Sequence, residues 1–352
     1  MDNFVYKMFV LCAYIYEFAH MIYYIKLKNI KMKEGIIMKE LKGRKILHLL
    51  CWRWKDIESH LEKIKEYGFN TVQISPVFPC KPLWTDNGRI QEGSTEWWDI
   101  VHKEWWKLYQ PISFDTIGNF LGTEEDFISL CKKGEQLGID ICPDIVIRHV
   151  ANADDNELKP HPLVDEKLLK YIKLHQRNAD NYKDRWQQTN LSTQLPMFEY
   201  ENTEFQREIV IPILQKIMTY AHGFRGDQMC KHYLLPSEGG TFLINVMNSL
   251  PQDKFYYGEG IEVEPKYLEE YSQYMYPIVA FHEWWGSKKA VRFAESHDTT
   301  ESFMYTKHWT PQKRLEGYEQ CLKMYGNAMW YSRIMDDNII FSEEMKRINH
   351  TY

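Results

Sequence analysis

The sequence predicts an α/β chain whose parallel strands close into an eight-stranded barrel, the (β/α)8 or TIM-barrel class. From residue 45 onward short apolar runs alternate with amphipathic helical stretches, the pattern of parallel strands joined by helical crossovers. The repeating part is about 250 residues long, which suits one closed barrel better than an open sheet. Several strand-like runs end in titratable residues, namely His149, Asp227, Glu259 and the pair His297 and Asp298. Closed barrels collect their chemistry at such C-terminal strand ends.

The elements follow in order. The first strand is read over 45–52 (K-I-L-H-L-L-C-W), followed by a helix over 56–67 with Ile57, Leu61 and Ile64 on one face and Gly68 at its end. The second strand, 71–75, is ended by Pro76 and Pro79. Residues 77–119 form a long loop carrying Trp84, Trp97, Trp98, Trp105, Trp106 and Tyr109, and long loops within compact domains are usually functional. A capping box, T-E-E-D, opens the helix over 123–137. Strand three, 139–147, leads into His149.

Residues 150–199 are polar and without a clear period, which marks a small subdomain inserted after strand three. A helix over 203–220 and strands over 223–227, 255–259, 277–282 and 291–295 come next, then a helix over 317–335 and strand eight over 338–342. The organisation expected is an extension (1–42), the first part of the barrel (43–149), the inserted subdomain (150–199) and the second part of the barrel (200–352). Neither a last helix nor a C-terminal β-sandwich is evident after strand eight, which leaves part of the barrel wall open.

Net charge is −6 with acids and bases mixed, so no basic face for nucleic acid is expected. Aromatic content is 15%, with 12 Trp and 23 Tyr, which supplies rings for a core and for platforms in a cleft. The seven cysteines are odd in number and lack C-x-x-C pairs, so buried reduced thiols and a cytoplasmic setting are the reading. Residues 4–25 are apolar but interrupted by Lys7, Glu17 and His20. They fit neither a spanning helix nor a signal peptide, and read as either a weak membrane-associating helix or an upstream extension.

Arg225 and Asp227 are two residues apart, so on a strand both side chains leave one face. An arginine in reach keeps an aspartate ionised and nucleophilic. Glu259 has no cation beside it in sequence and follows Tyr256 and Tyr257, which points to a raised pKa and a proton to give. With Asp298, three acids end three strands. A retaining glycosidase needs such a pair, a nucleophile and an acid/base about 5–5.5 Å apart.

At these residues the chain resembles the α-amylase family, glycoside hydrolase family 13. H-L-L-C-W-R-W-K-D-I (48–57), V-Q-I-S-P (72–76) and W-W-K-L-Y-Q-P-I-S (105–113) are similar to the animal-type enzymes especially. D-I-V-I-R-H (144–149), G-F-R-G-D (223–227), Y-G-E-G (257–260) and E-S-H-D (295–298) resemble the four regions that carry catalysis. The resemblance implies Asp227 as nucleophile, Glu259 as acid/base and Asp298 as the third acid, holding sugar hydroxyls. It implies hydroxyl donors at His149 and His297, Arg225 orienting Asp227, and Tyr109 stacked beneath the sugar. Trp106 offers a further apolar face and Lys231 a sugar contact.

Departures from the family pattern qualify the ions. The family's calcium ligands are replaced by Arg148 and Met197, so no calcium is expected there, since that ion needs six to eight oxygens. A chloride-binding asparagine falls at Ser296, so chloride activation is not expected, and one extra residue separates Asp227 from Lys231 and His232. The implied function is retaining hydrolysis of α-1,4-glucosidic bonds in starch- or glycogen-type glucans through a glycosyl-aspartate, without a cofactor. The alternatives are a transglycosylase on the same fold and an inactive glucan-binding relative.

Overall fold

The computed structural model describes residues 39–84, 90–153, 159–173, 195–260, 265–280, 289–302, 305–332 and 337–352. The expectation for residues 4–25 lies outside them. In chain order the strands are β1 Lys45–Leu49, β2 Thr71–Ile74, β3 Asp140–Ile145, β4 Ile172–Lys173, β5 Met197–Phe198, β6 Gly223–Gly226, β7 Phe255–Glu259, β8 Tyr276–Ala280, β9 Val291–Phe293 and β10 Ala328–Ser332. Eight of these close a barrel in the order β1, β2, β3, β6, β7, β8, β9, β10. Every pairing in it is parallel.

Ile46, Cys142, Phe255, Tyr257, Ile278, Val291, Phe293 and Met329 form one buried cluster contributed by different strands. Gly223 is required by close approach, since a Cβ there would stand 1.8 Å from the Phe255 carbonyl oxygen on β7. Around the strands lie α1 Trp54–Glu66, α2 Thr95–Lys103, α3 Glu124–Leu137, α4 Ile211–Met218, α5 Phe242–Met247, α6 Pro265–Tyr271, α7 Pro311–Tyr325 and α8 Glu343–Thr351. α1 buries Trp54, Ile57, Leu61 and Ile64, the i, i+3, i+4 stripe of an outer-layer helix. The Thr123 and Asp126 capping box opens α3, and Gly138 ends it in a left-handed conformation at φ 70°. Among the described residues no helix is long and apolar enough to cross a membrane.

Several elements differ from the sequence reading. The helix expected over 317–335 stops at Tyr325, where Gly326 at φ 74° donates its N–H to Leu322 O. The run that follows, A-M-W-Y-S, is β10, and it pairs along its length with β1 to close the barrel. Asp337–Ile340, expected to be strand eight, is a helical turn.

The last helix does exist. Ser342 caps α8, which buries Met345, Ile348 and Asn349. Asn349 Nδ2 donates to Tyr67 O at 2.8 Å, and its Oδ1 accepts from Tyr318 Oη at 2.8 Å. α8 therefore bridges α7 and the end of α1 where an open wall was expected. The long loop after β2 holds α2 and a 3-10 turn, Trp105–Tyr109. Between β3 and β6 the strands β4 and β5 form a separate antiparallel pair.

Candidate active site

The site is built on β3, β6 and β7. Register sets Arg225 of β6 opposite Asp144 of β3 and Tyr257 of β7. The Arg225 Nη1 donates to both oxygens of Asp144 at 2.9 Å and to Asp227 Oδ1 at 2.9 Å. Its Nη2 donates to Glu259 Oε2 at 3.2 Å. One buried guanidinium thus holds carboxylates from three neighbouring strands. Glu259 Oε2 also accepts from the Gln228 N–H at 2.9 Å, and Asp144 Oδ2 from Tyr109 Oη at 2.9 Å.

Aromatic rings fix the histidines. His297 stacks on Tyr109 with centroids 5.3 Å apart and receives the edges of His48 at 5.2 Å and Trp105 at 5.7 Å. Its Nε2 lies 3.5 Å from Asp298 Oδ2. His149 Nε2 lies 2.7 Å from the Tyr109 carbonyl, so it carries the proton and Nδ1 is left as an acceptor. His48, Gln73, Arg225, Glu259, His297 and Asp298 are among the residues lining one small pocket.

The carboxyl groups of the site are coupled through Arg225. Burial, then repulsion from Glu259, pushes Asp227 well above the usual carboxylate range despite Arg225. Glu259 is buried too, but Arg225, Lys231 and the Gln228 N–H outweigh that and hold it down at about 2. Burial and Glu259 raise Asp298 to about 7. Arg225 is divided among three carboxylates, so Asp227 and Glu259 titrate as one coupled pair on a shared cation. Burial lowers both His149 and His297 to about 4, so both are neutral at pH 7.

The structure brings together Asp227, Glu259, Asp298, Arg225, Tyr109 and His297, with His149 held against Tyr109. Lys231 is half-buried and near enough to lower Glu259 and Asp298. Trp106 is placed differently, flanked by Lys81 Nζ at 5.4 Å and Lys107 Nζ at 5.7 Å. Trp105, one residue earlier, supplies the ring that meets His297 and Tyr109.

Sequence reasoning missed Asp144, His48 and Gln228. Asp144 had a signal, an acid inside a wholly buried strand, since such a charge is rarely kept unpaired. His48 lies within the apolar β1 run and had a similar, weaker one. Nothing in sequence marks Gln228.

Calcium does not fit these donors. Arg148 is wholly buried and Met197 is 1% exposed, and a guanidinium and a thioether supply none of the oxygens that calcium needs. Among the described residues no three His, Cys, Asp or Glu side chains gather to hold a metal. Both terminal nitrogens of Arg225 donate to carboxylates.

The geometry defines a closed (β/α)8 barrel with acids, an arginine and histidines gathered at one rim. No family model matches the chain. An α-amylase of Clostridium acetobutylicum is 28% identical over 230 residues, 62% of this chain and 28% of that protein. An α-amylase of Butyrivibrio fibrisolvens is 28% identical over 255 residues, 65% of this chain and 25% of that protein. The chain thus spans about a quarter of the length of the curated relatives it matches. Among solved structures, the α-amylase of Geobacillus thermoleovorans complexed with acarbose superposes with a TM-score of 0.63 at 16% identity, covering 88% of this chain and 78% of that one. The chain is similar in sequence to these α-amylases and has the barrel fold of the solved one.

Proposed function

We propose that this chain is the catalytic barrel of a retaining glycoside hydrolase that cleaves α-1,4-glucosidic bonds in starch- or glycogen-type glucans. The observation that carries the reading is the single guanidinium of Arg225 holding Asp227 and Glu259 from adjacent strands. Two carboxyl groups fixed on one cation can address one sugar.

In the reaction, an Asp227 oxygen bonds to the anomeric carbon as the bond from that carbon to the glycosidic oxygen breaks. Glu259 gives its proton to the departing oxygen. Glu259 then takes a proton from water, whose oxygen displaces Asp227 and restores both groups. Catalysis uses the form with Asp227 anionic and Glu259 protonated. A sugar that displaces water from the cleft and takes up the donors of Arg225 and Gln228 weakens the hold on the Glu259 anion. Asp298, beside His297, holds hydroxyls of the sugar being cleaved. Neutral His149 and His297 add hydrogen bonding without adding cations.

The test is reducing-end release from soluble starch, with proton NMR of the first product. The α-anomer appears first if Asp227 forms the ester, and Asp227→Asn abolishes release. Immediate β-anomer refutes retention, and undiminished release in Asp227→Asn refutes the nucleophile. Longer glucans appearing without net reducing ends identify transglycosylation instead. A second reading, an inert glucan-binding relative, draws on the hold of Arg225, Lys231 and the Gln228 N–H that lowers Glu259 below the usual carboxylate range. It is the outcome if starch binds and no product forms.

A further inference from the structure

We infer that Arg148 is a positioning residue for Glu259, acting through Gln228, and that this buried guanidinium locks the rim where the resemblance would place a calcium ion. The inference rests on the reading of Glu259 as the acid/base. It starts from Gln228, which is not glycine yet has φ 50°. A residue with a side chain is strained in the left-handed region, so other contacts must hold it there.

Two contacts do. The Gln228 N–H donates to Glu259 Oε2 at 2.9 Å. Its side-chain Oε1 accepts from Arg148 Nη1. Two residues on, the Cys230 N–H donates to the Glu259 carbonyl at 3.1 Å. The turn after β6 is therefore strapped to the end of β7 at both backbone and side chain, and the left-handed Gln228 is its pivot. The sequence carries one residue more between Asp227 and Lys231 than the family pattern, and this turn contains it.

Arg148 is the strut behind that pivot. It is 0% exposed, and its Nε and Nη2 have no hydrogen-bond partner among the described residues. The Tyr233 ring lies 5.8 Å from its guanidinium carbon. Its own backbone is clamped by the segment returning to the barrel. The Phe198 N–H of β5 donates to Arg148 O at 2.8 Å, and the Val150 N–H to Pro196 O at 3.0 Å. A wholly buried guanidinium with so few acceptors is costly to desolvate. The hydrogen bond that it does make goes to the residue whose N–H orients Glu259. The inserted segment, Arg148, Gln228 and Glu259 thus form one connected line, without an ion in it.

The experiment is residue-resolved amide hydrogen exchange on the whole chain, with kcat and KM measured in parallel. Arg148→Met and Gln228→Ala each remove one end of the side-chain bond. Both are expected to speed exchange at the amide of residue 228 about tenfold, with the β6 amides unchanged. Both should lower kcat about tenfold to a hundredfold through displacement of Glu259, with KM little changed.

Gln228→Gly keeps the amide and accepts φ 50° without strain, so exchange at 228 rises less than in Gln228→Ala, and adding Arg148→Met to it speeds exchange no further. Chelation by EDTA leaves exchange at 228 and the melting temperature unchanged. Unchanged exchange at 228 in both single variants overturns the inference, as does protection at 228 that depends on added calcium. Uniform acceleration across the barrel in both variants assigns Arg148 a merely structural role and also overturns it. A chain that cleaves no glucan refutes the hydrolase reading, while the exchange arms still decide the role of Arg148.

Discussion

Removing Asp144 tests how the site is held together. Its carboxylate is wholly buried, takes two hydrogen bonds from Arg225 and one from Tyr109, and lies on the strand next to that arginine. Breaking a buried ion pair by deleting one partner costs about 3–5 kcal/mol. Arg225 keeps Asp227 and Glu259 in Asp144→Ala, which puts the cost near the lower end, about 3 kcal/mol. For a chain of this size that corresponds to a fall in melting temperature of roughly 4 °C. Asp227 also loses a repulsive neighbour, because Asp144 is one of the charges that raise it. Its carboxyl should therefore move towards the ordinary range. The assay is thermal unfolding by circular dichroism at pH 7, with Asp144→Asn as the version that keeps an acceptor and loses the charge. If Asp144→Ala melts within about 1 °C of the wild type, where surface changes fall, Asp144 does not anchor Arg225.

Four further outcomes follow from the same contacts. Asp298, raised to about 7, binds its proton more tightly folded than unfolded, so its contribution to stability is complete below about pH 3.9 and is lost as pH rises through 7. Asp298→Asn should flatten urea-denaturation stability over that window, and an unchanged slope contradicts the burial argument. Asn349→Ala removes both bonds joining α8 to Tyr67 and Tyr318 and should cost about 1–3 kcal/mol in urea denaturation, whereas no loss would mean that α8 does not close the wall. Tyr109→Phe keeps the ring on His297 and loses the bond to Asp144, so it should cost about 1 kcal/mol of stability and leave glucan affinity nearly unchanged, while Tyr109→Ala should weaken affinity in a titration with maltooligosaccharide. Exchanging acetate for chloride should leave kcat unchanged, and activation by chloride would show that Arg225 has a free face after all.

Much of the barrel was legible because its strands are apolar runs ended by titratable residues, as in G-F-R-G-D and F-Y-Y-G-E. The strand that closes it was not. A-M-W-Y-S continues the apolar face of α7 without a break in hydrophobicity, and the stop is made by Gly326 turning left-handed. α8 was missed because only Met345 and Ile348 are apolar anchors in a polar stretch. At the site, the two-residue spacing predicted that Arg225 meets Asp227, and it does. Sequence adjacency cannot show that the same guanidinium also reaches Asp144 and Glu259 across strands. That sharing is what couples the titration of Asp227 to that of Glu259. Trp105 and Trp106 are indistinguishable by composition, and the 3-10 turn decides which ring faces His297.

The most direct measurement of the central claim is covalent trapping. The chain is incubated with a 2-deoxy-2-fluoro-α-glycosyl fluoride, digested and sequenced by mass spectrometry. Two carboxyl groups working on one sugar predict a single glycosyl ester, carried by Asp227 and lost in Asp227→Asn. An ester on another acid, or turnover of glucan with no ester formed, would contradict the account.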